Sequence, residues 1–107
     1  MTVINATPSV GPRNRQPTTV RLSGEIDIFT SKALRKQLLN ALRHSIGPLV
    51  IDLSQVSFSD ASGLAVLVGI QRRASARGIS LALTAPQPYT SRLLHITGLD
   101  RSLPMTA

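Results

Sequence analysis

The chain has no cysteine and no tryptophan, only three aromatic residues and only five acidic ones in 107. Without cysteine there is no disulfide framework, thiolate zinc site or thiol nucleophile. That usage fits a reducing compartment, and a cytoplasmic location is the expectation. Phe29, Phe58 and Tyr89 are too few for base-stacking platforms, so no direct nucleic-acid partner is expected. The scattered carboxylates and two histidines, His44 and His95, offer no clustered ligand set, so no metal or other cofactor is expected. No apolar run approaches about 18 residues, so no membrane span is expected. No basic segment leads into a long apolar one at the N-terminus, as a secretory signal would require.

What is present reads as one globular domain over residues 1–107, with 42% hydrophobic and 16% charged residues. The net charge is +7, and ten of the twelve basic residues are arginine. They are scattered: Arg13 and Arg15 in a tail-like loop, Lys32, Arg35, Lys36 and Arg43 in one helical stretch, Arg72, Arg73 and Arg77 in another. This balance predicts salt-sensitive association with an acidic partner.

Thr2 to Ala6 reads as a short strand, and Pro8 to Pro17, with three prolines and a glycine, as a loop. Thr18 to Leu22 is a strand by its β-branched, alternating residues, and Ser23 to Asp27 reads as its loop-like exit. Thr30 or Ser31 is the expected N-cap of a helix to about His44, with Leu34, Leu38, Ala41 and Leu42 on one face. Gly47-Pro48 closes it. Leu49 to Leu53 has the apolar continuity of a strand buried on both faces. Residues 61–77 form a helical crossover, because Ile79 to Thr84 is the next strand and parallel strands need such a connection. Gly78 is its C-cap. A shorter helix follows over Tyr89 to Thr97, ended by Gly98, and Ser102 to Thr106 is a last short strand. The order implies a mixed sheet with helices packed against it.

The segment Ser59-Asp60-Ala61-Ser62-Gly63-Leu64 stands between a buried strand and a helix. A helix N-terminus there offers free N–H groups and the positive end of the helix dipole. Anions bind such places, and phosphorylation can switch them. The plainer reading is a helix cap, with Asp60 as acceptor, Ser62 as a second acceptor and Gly63 for tight packing. An enzyme finds little support. Neither histidine neighbours Ser62 in sequence, and there is no Gly-x-Ser-x-Gly elbow. Asp27 and Asp60 meet at one sheet end if both loops lie at strand C-termini, which leaves paired-carboxylate chemistry as a minor alternative. The glycines form neither a P-loop nor a dinucleotide fingerprint.

Five stretches resemble the STAS domain family, and within it the bacterial anti-sigma-factor antagonists. Ser23-Gly24-Glu25-Ile26-Asp27 resembles the exit from the second strand, with Ala33-Leu34-Arg35 in the following helix. Leu49 to Phe58 resembles the central strand and its approach. Asp60-Ala61-Ser62-Gly63-Leu64 matches the signature loop, and Ile96-Thr97-Gly98-Leu99 the late helix ending. The likeness covers roughly residues 18–105, leaving 1–17 as an N-terminal strand and Pro-rich loop.

The resemblance implies an α/β fold, a STAS-like mixed sheet of about five strands packed by helices. It implies no enzyme but a switch protein. Such a protein binds a kinase-like anti-sigma factor and so frees a sigma factor for transcription. That factor phosphorylates the signature loop, and a phosphatase reverses it. The family's acceptor hydroxyl generally follows the loop aspartate directly; here that position is Ala61. Ser62 is the remaining phosphorylation candidate within the motif. Three outcomes stay open: a constitutively binding antagonist, transfer of the acceptor role to Ser62, or a STAS-fold nucleotide-binding or other signalling module without kinase control. The expected partner-binding residues are Asp27, Asp60, Ala61, Ser62, Gly63 and Leu64, with Leu64 partly at the rim and Glu25 and Thr30 as weaker members. Family members usually carry a further C-terminal helix, so a trimmed C-terminus is expected.

Overall fold

Alternation of side chains decides which way the sheet faces. Leu49, Ile51 and Leu53 are buried, while Val50, Asp52 and Ser54 between them are half-buried. Their lateral neighbours agree: Val20 pairs with Ile51 and Ile51 with Leu83, all buried. Arg21 pairs with Asp52 and Asp52 with Thr84 on the other face. The computed structural model describes residues 2–8, 17–103 and 105–106, and for 2–8, 58–59 and 105–106 it describes the backbone alone.

The elements are β1 (Thr2–Pro8), β2 (Thr18–Ile26), α1 (Ser31–Arg43), β3 (Leu49–Ser59), α2 (Ala61–Ala76), β4 (Leu81–Thr84), α3 (Pro88–Thr97), a 3₁₀ turn (Leu99–Arg101) and β5 (Met105–Thr106). The sheet order is β1-β2-β3-β4-β5. β1 is antiparallel to β2, and the remaining pairs are parallel. The mixed α/β sheet expected from sequence is therefore the observed one.

Helix α1 buries Leu34, Leu38, Ala41 and Leu42 and leaves Lys32, Arg35, Lys36 and Arg43 exposed. Helix α2 buries Leu64, Leu67, Ile70 and Ala74 in the same core, despite its β-branched residues and Gly69. Burial of each such leucine or isoleucine contributes roughly 1.5–3 kcal/mol, enough to override weak helix propensity. Gly78 leaves α2 at φ +71°, a left-handed conformation that suits glycine. The Arg77 guanidinium donates to Leu42 O at 2.7 Å, tying the C-terminal ends of α1 and α2 together.

Several boundaries differ from expectation. Ser23 to Ile26 is strand rather than loop. Two β-bulges let β3 advance by extra residues against β2, and Gly24, at φ +83°, accommodates the distortion. β3 is buried on one face, not both; its other face carries the Arg21–Asp52 ion pair at 3.2 Å. β4 begins at Leu81 rather than Ile79, α3 begins at Pro88, and the last strand is only Met105–Thr106. The Leu99–Arg101 turn had no periodic signal. The first strand runs two residues further than Ala6, to Pro8. Residues 9–16, including Arg13 and Arg15 of the Pro-rich loop, lie outside the described residues.

β3 is much longer than its neighbour on one side. It pairs with β4 only over Leu49 to Asp52, but with β2 as far as Ser59. The far end of β3, with the loop it feeds, thus stands beyond β4. Leu38, fully buried between α1 and the sheet, tests this core. Leu38→Ala is expected to lower stability by about 2–5 kcal/mol in urea unfolding, with the m-value unchanged.

Candidate functional site

Two parallel strands end side by side, and each feeds a helix. β2 ends at Ile26 and β3 at Ser59, and these two residues are register partners. The Asp60 N–H donates to Ile26 O at 3.1 Å, extending the ladder one residue into the loops. Asp27 and Asp60 are therefore neighbours at the C-terminal end of the sheet, as their expected placement required.

After β2, Asp27 closes a tight turn. Its Oδ1 accepts from Phe29 N at 2.9 Å, Thr30 N at 3.1 Å and Thr30 Oγ1 at 3.2 Å. Its own N–H donates to Thr30 Oγ1 at 2.9 Å, and its carbonyl accepts from Ser31 N at 2.9 Å. Thr30 is the N-cap of α1, as expected, but makes no side-chain cap bond: its hydroxyl serves the Asp27 turn, and Ser31 Oγ donates to Ile28 O at 3.2 Å. An aspartate that accepts from the backbone two and three residues on fixes the turn more firmly than a hydroxyl cap.

After β3, Asp60 is the N-cap of α2. Its backbone is extended, at φ −104° and ψ −172°. Its Oδ1 accepts from Ser62 N at 2.9 Å and Gly63 N at 3.3 Å, and the Ser62 hydroxyl donates to the same oxygen. The Ser62 hydroxyl, followed by burial that works the other way and by the backbone N–H donors, holds the Asp60 carboxyl below its usual range. A carboxylate so held is a capping anion and a poor proton donor.

Asp60 and Ser62 are half-buried, and Ala61 is exposed. Gly63 is buried and Leu64 is only 2% exposed. Leu64 therefore sits in the core beneath the loop and not at the rim; its place in the first turn of α2 turns it toward the sheet. Glu25 is exposed at the end of β2, and Thr30 is half-buried. The sequence reading missed Ile28 and Phe29. They stand in the Asp27 turn at 68% and 88% exposure, beside the Asp60 loop. The available signal was an apolar pair between two turn-forming polar residues, where no strand or helix period demands one.

Elsewhere the chemistry is thin. His44 Nδ1 donates to Asn40 O at 2.9 Å, and His95 Nδ1 pairs with Asp100 Oδ2 at 3.1 Å. Both are engaged at helix ends. Among the described residues, no group of His, Asp and Glu has the arrangement to hold a metal ion, and no helix is long and apolar enough to cross a membrane.

A mixed sheet with parallel β2–β5, two helix N-termini at one sheet end and an Asp-Ala-Ser-Gly loop between β3 and α2 defines a STAS-type domain. The family model described as "Mlab, STAS domain" matches residues 11–106, and the chain belongs to that family. It is 36% identical over 87 residues to an anti-sigma F factor antagonist of Paenibacillus polymyxa, covering 80% of this chain and 74% of that one. It is 34% identical over 95 residues to the anti-sigma-B factor antagonist of Bacillus subtilis (strain 168), covering 89% and 86%. The crystal structure of an anti-sigma factor antagonist from Mycobacterium paratuberculosis superposes with a TM-score of 0.72 at 32% identity, covering 92% of this chain and 83% of that one.

The Asp60 cap has a pH signature. A carboxyl depressed in the folded state contributes stability that is fully present above its unfolded value and is lost as pH falls through the folded one. An NMR titration of the Asp60 side chain should show a midpoint below 3.8, with protection of the Ser62 and Gly63 amides lost over the same range. A midpoint at or above 3.8 would contradict the geometry.

Proposed function

We propose that this protein is an anti-sigma-factor antagonist whose contact surface is the pair of loops after β2 and β3, and that it binds constitutively. The observation that carries the reading is the juxtaposition of the exposed Ile28–Phe29 tip with Asp27, Asp60 and the exposed Ala61. Large apolar side chains at such exposure are candidate anchors for a partner pocket, and aromatic ones dominate interface energetics. The relatives' names support an anti-sigma factor as the partner; a kinase-like ATPase as that factor, and a cytoplasmic location, belong to the same proposal. The chain acts by binding and not by turnover.

The constitutive state follows from the loop chemistry. Alanine at position 61 has no hydroxyl to accept a phosphoryl group. The Ser62 hydroxyl is drawn into the Asp60 cap. A phosphate on Ser62 would add about −1.5 to −2 charges against the Asp60 carboxylate and displace the cap, with only partial relief from the helix dipole. Ser62 is thus a poor replacement acceptor, and a phosphatase has no substrate in this loop. The net charge of +7 makes association weaken between low and physiological ionic strength.

Incubation with a kinase-like anti-sigma factor and ATP tests this. The expected result is a stable complex and no mass gain on the protein. Phosphate on Ser62 would end the constitutive reading. Ala61→Ser should restore a phosphoacceptor and make the complex dissociate with ATP. Phe29→Ala should weaken binding by on the order of tenfold or more, with the unfolding midpoint unchanged because the side chain is 88% exposed. Stoichiometric binding of ATP or GTP to the chain alone would favour a nucleotide-binding module instead.

A further inference from the structure

Ala61 is also the mouth of a groove. From it a largely apolar furrow of about 410 Å³ runs along the outer side of α2, past Ala65, Val68 and Gly69 to Arg72, with Leu99 on the opposite wall. Ala61, Ala65, Gly69 and Arg72 are exposed. The span from Ala61 to Arg72 is about 16 Å along the helix, some three turns. In a helix surface, rows spaced by four residues normally form ridges. Where the row is alanine and glycine the ridge is missing, and a second helix can seat a ridge of its own there. The furrow is open along its length and carries a single charged group at its far end. That shape suits a protein segment better than a small molecule, which needs an enclosed site with several converging polar groups.

Charge decides the sign of the occupant. Neither α1 nor α2 contains an acidic residue. No carboxylate pairs with Arg72 among the described residues. We infer that this groove receives an α-helix of the partner protein, presenting aliphatic side chains along Ala61, Ala65 and Gly69 and a carboxylate to Arg72. The inference rests on the antagonist reading, because the groove is continuous with the loop surface at Ala61. It extends that surface from the sheet end along the flank of α2.

Gly69 makes the test clean. A Cβ built there meets no atom within 4 Å, so a methyl group can be added without a clash. Gly69→Ala removes a helix-weakening residue and should raise the unfolding midpoint. Gly69→Leu fills the furrow and should fold as stably as the parent yet bind on the order of tenfold more weakly by calorimetry. Arg72→Glu should weaken binding similarly, and the neighbouring Arg73→Glu, which does not line the groove, should do so far less. Parental affinity in Gly69→Leu would overturn the inference while leaving the antagonist reading intact. Failure of the unaltered chain to bind any such factor would remove both. If the chain alone forms a dimer that Gly69→Leu converts to monomer, the occupant is a second copy and the inference is overturned.

Discussion

One backbone hydrogen bond, from Asp60 N to Ile26 O, organises the loops at the C-terminal end of the sheet. It carries the β2–β3 ladder past the end of the strands and fixes the distance between two loops that are far apart in sequence. Each loop then spends an aspartate on itself. Asp27 holds the turn into α1, and Asp60 caps α2. Because β2 and β3 are parallel, both helices start at the same end of the sheet, and two positive dipole ends lie beneath the exposed residues. Were the strands antiparallel, one helix would begin at the opposite end and the paired loops would not exist.

Packing behind the loops is conventional and holds them still. The helices meet the sheet through leucine and isoleucine, and Arg77 donates to Leu42 O to fasten their far ends. Gly63 and Leu64 lie buried directly under the exposed Ala61. The loop therefore presents a methyl group, with no hydroxyl, over packed core residues. Its support comes from the core, its chemical silence from a single residue type.

Much of this was legible in the sequence because local signals agreed. The period of Leu34, Leu38, Ala41 and Leu42 marked α1, and the need for a crossover marked residues 61–77 as helix. Asp60 was legible as a cap because an N-cap is a local event, written within three residues. The Ser23 to Ile26 strand was not, since its bulges exist only in relation to β3 and glycine ordinarily punctuates loops. The one-sided burial of β3 was hidden for a similar reason: Val50 looks apolar, but burial depends on what covers it. Ile28 and Phe29 escaped because exposure of apolar residues has no periodic signature. Their significance emerged only when a turn held them outward beside a loop 30 residues on.

The unequal length of β3 has a mechanical consequence. Beyond Asp52 it is a beam clamped along one side by β2 and free of strand pairing with β4 on the other. On that side the Gln87 amide donates to Ser54 O at 2.9 Å. A load at Ala61 therefore passes down the β2–β3 ladder and into the core through the buried Leu53 and Val56, and not across to β4.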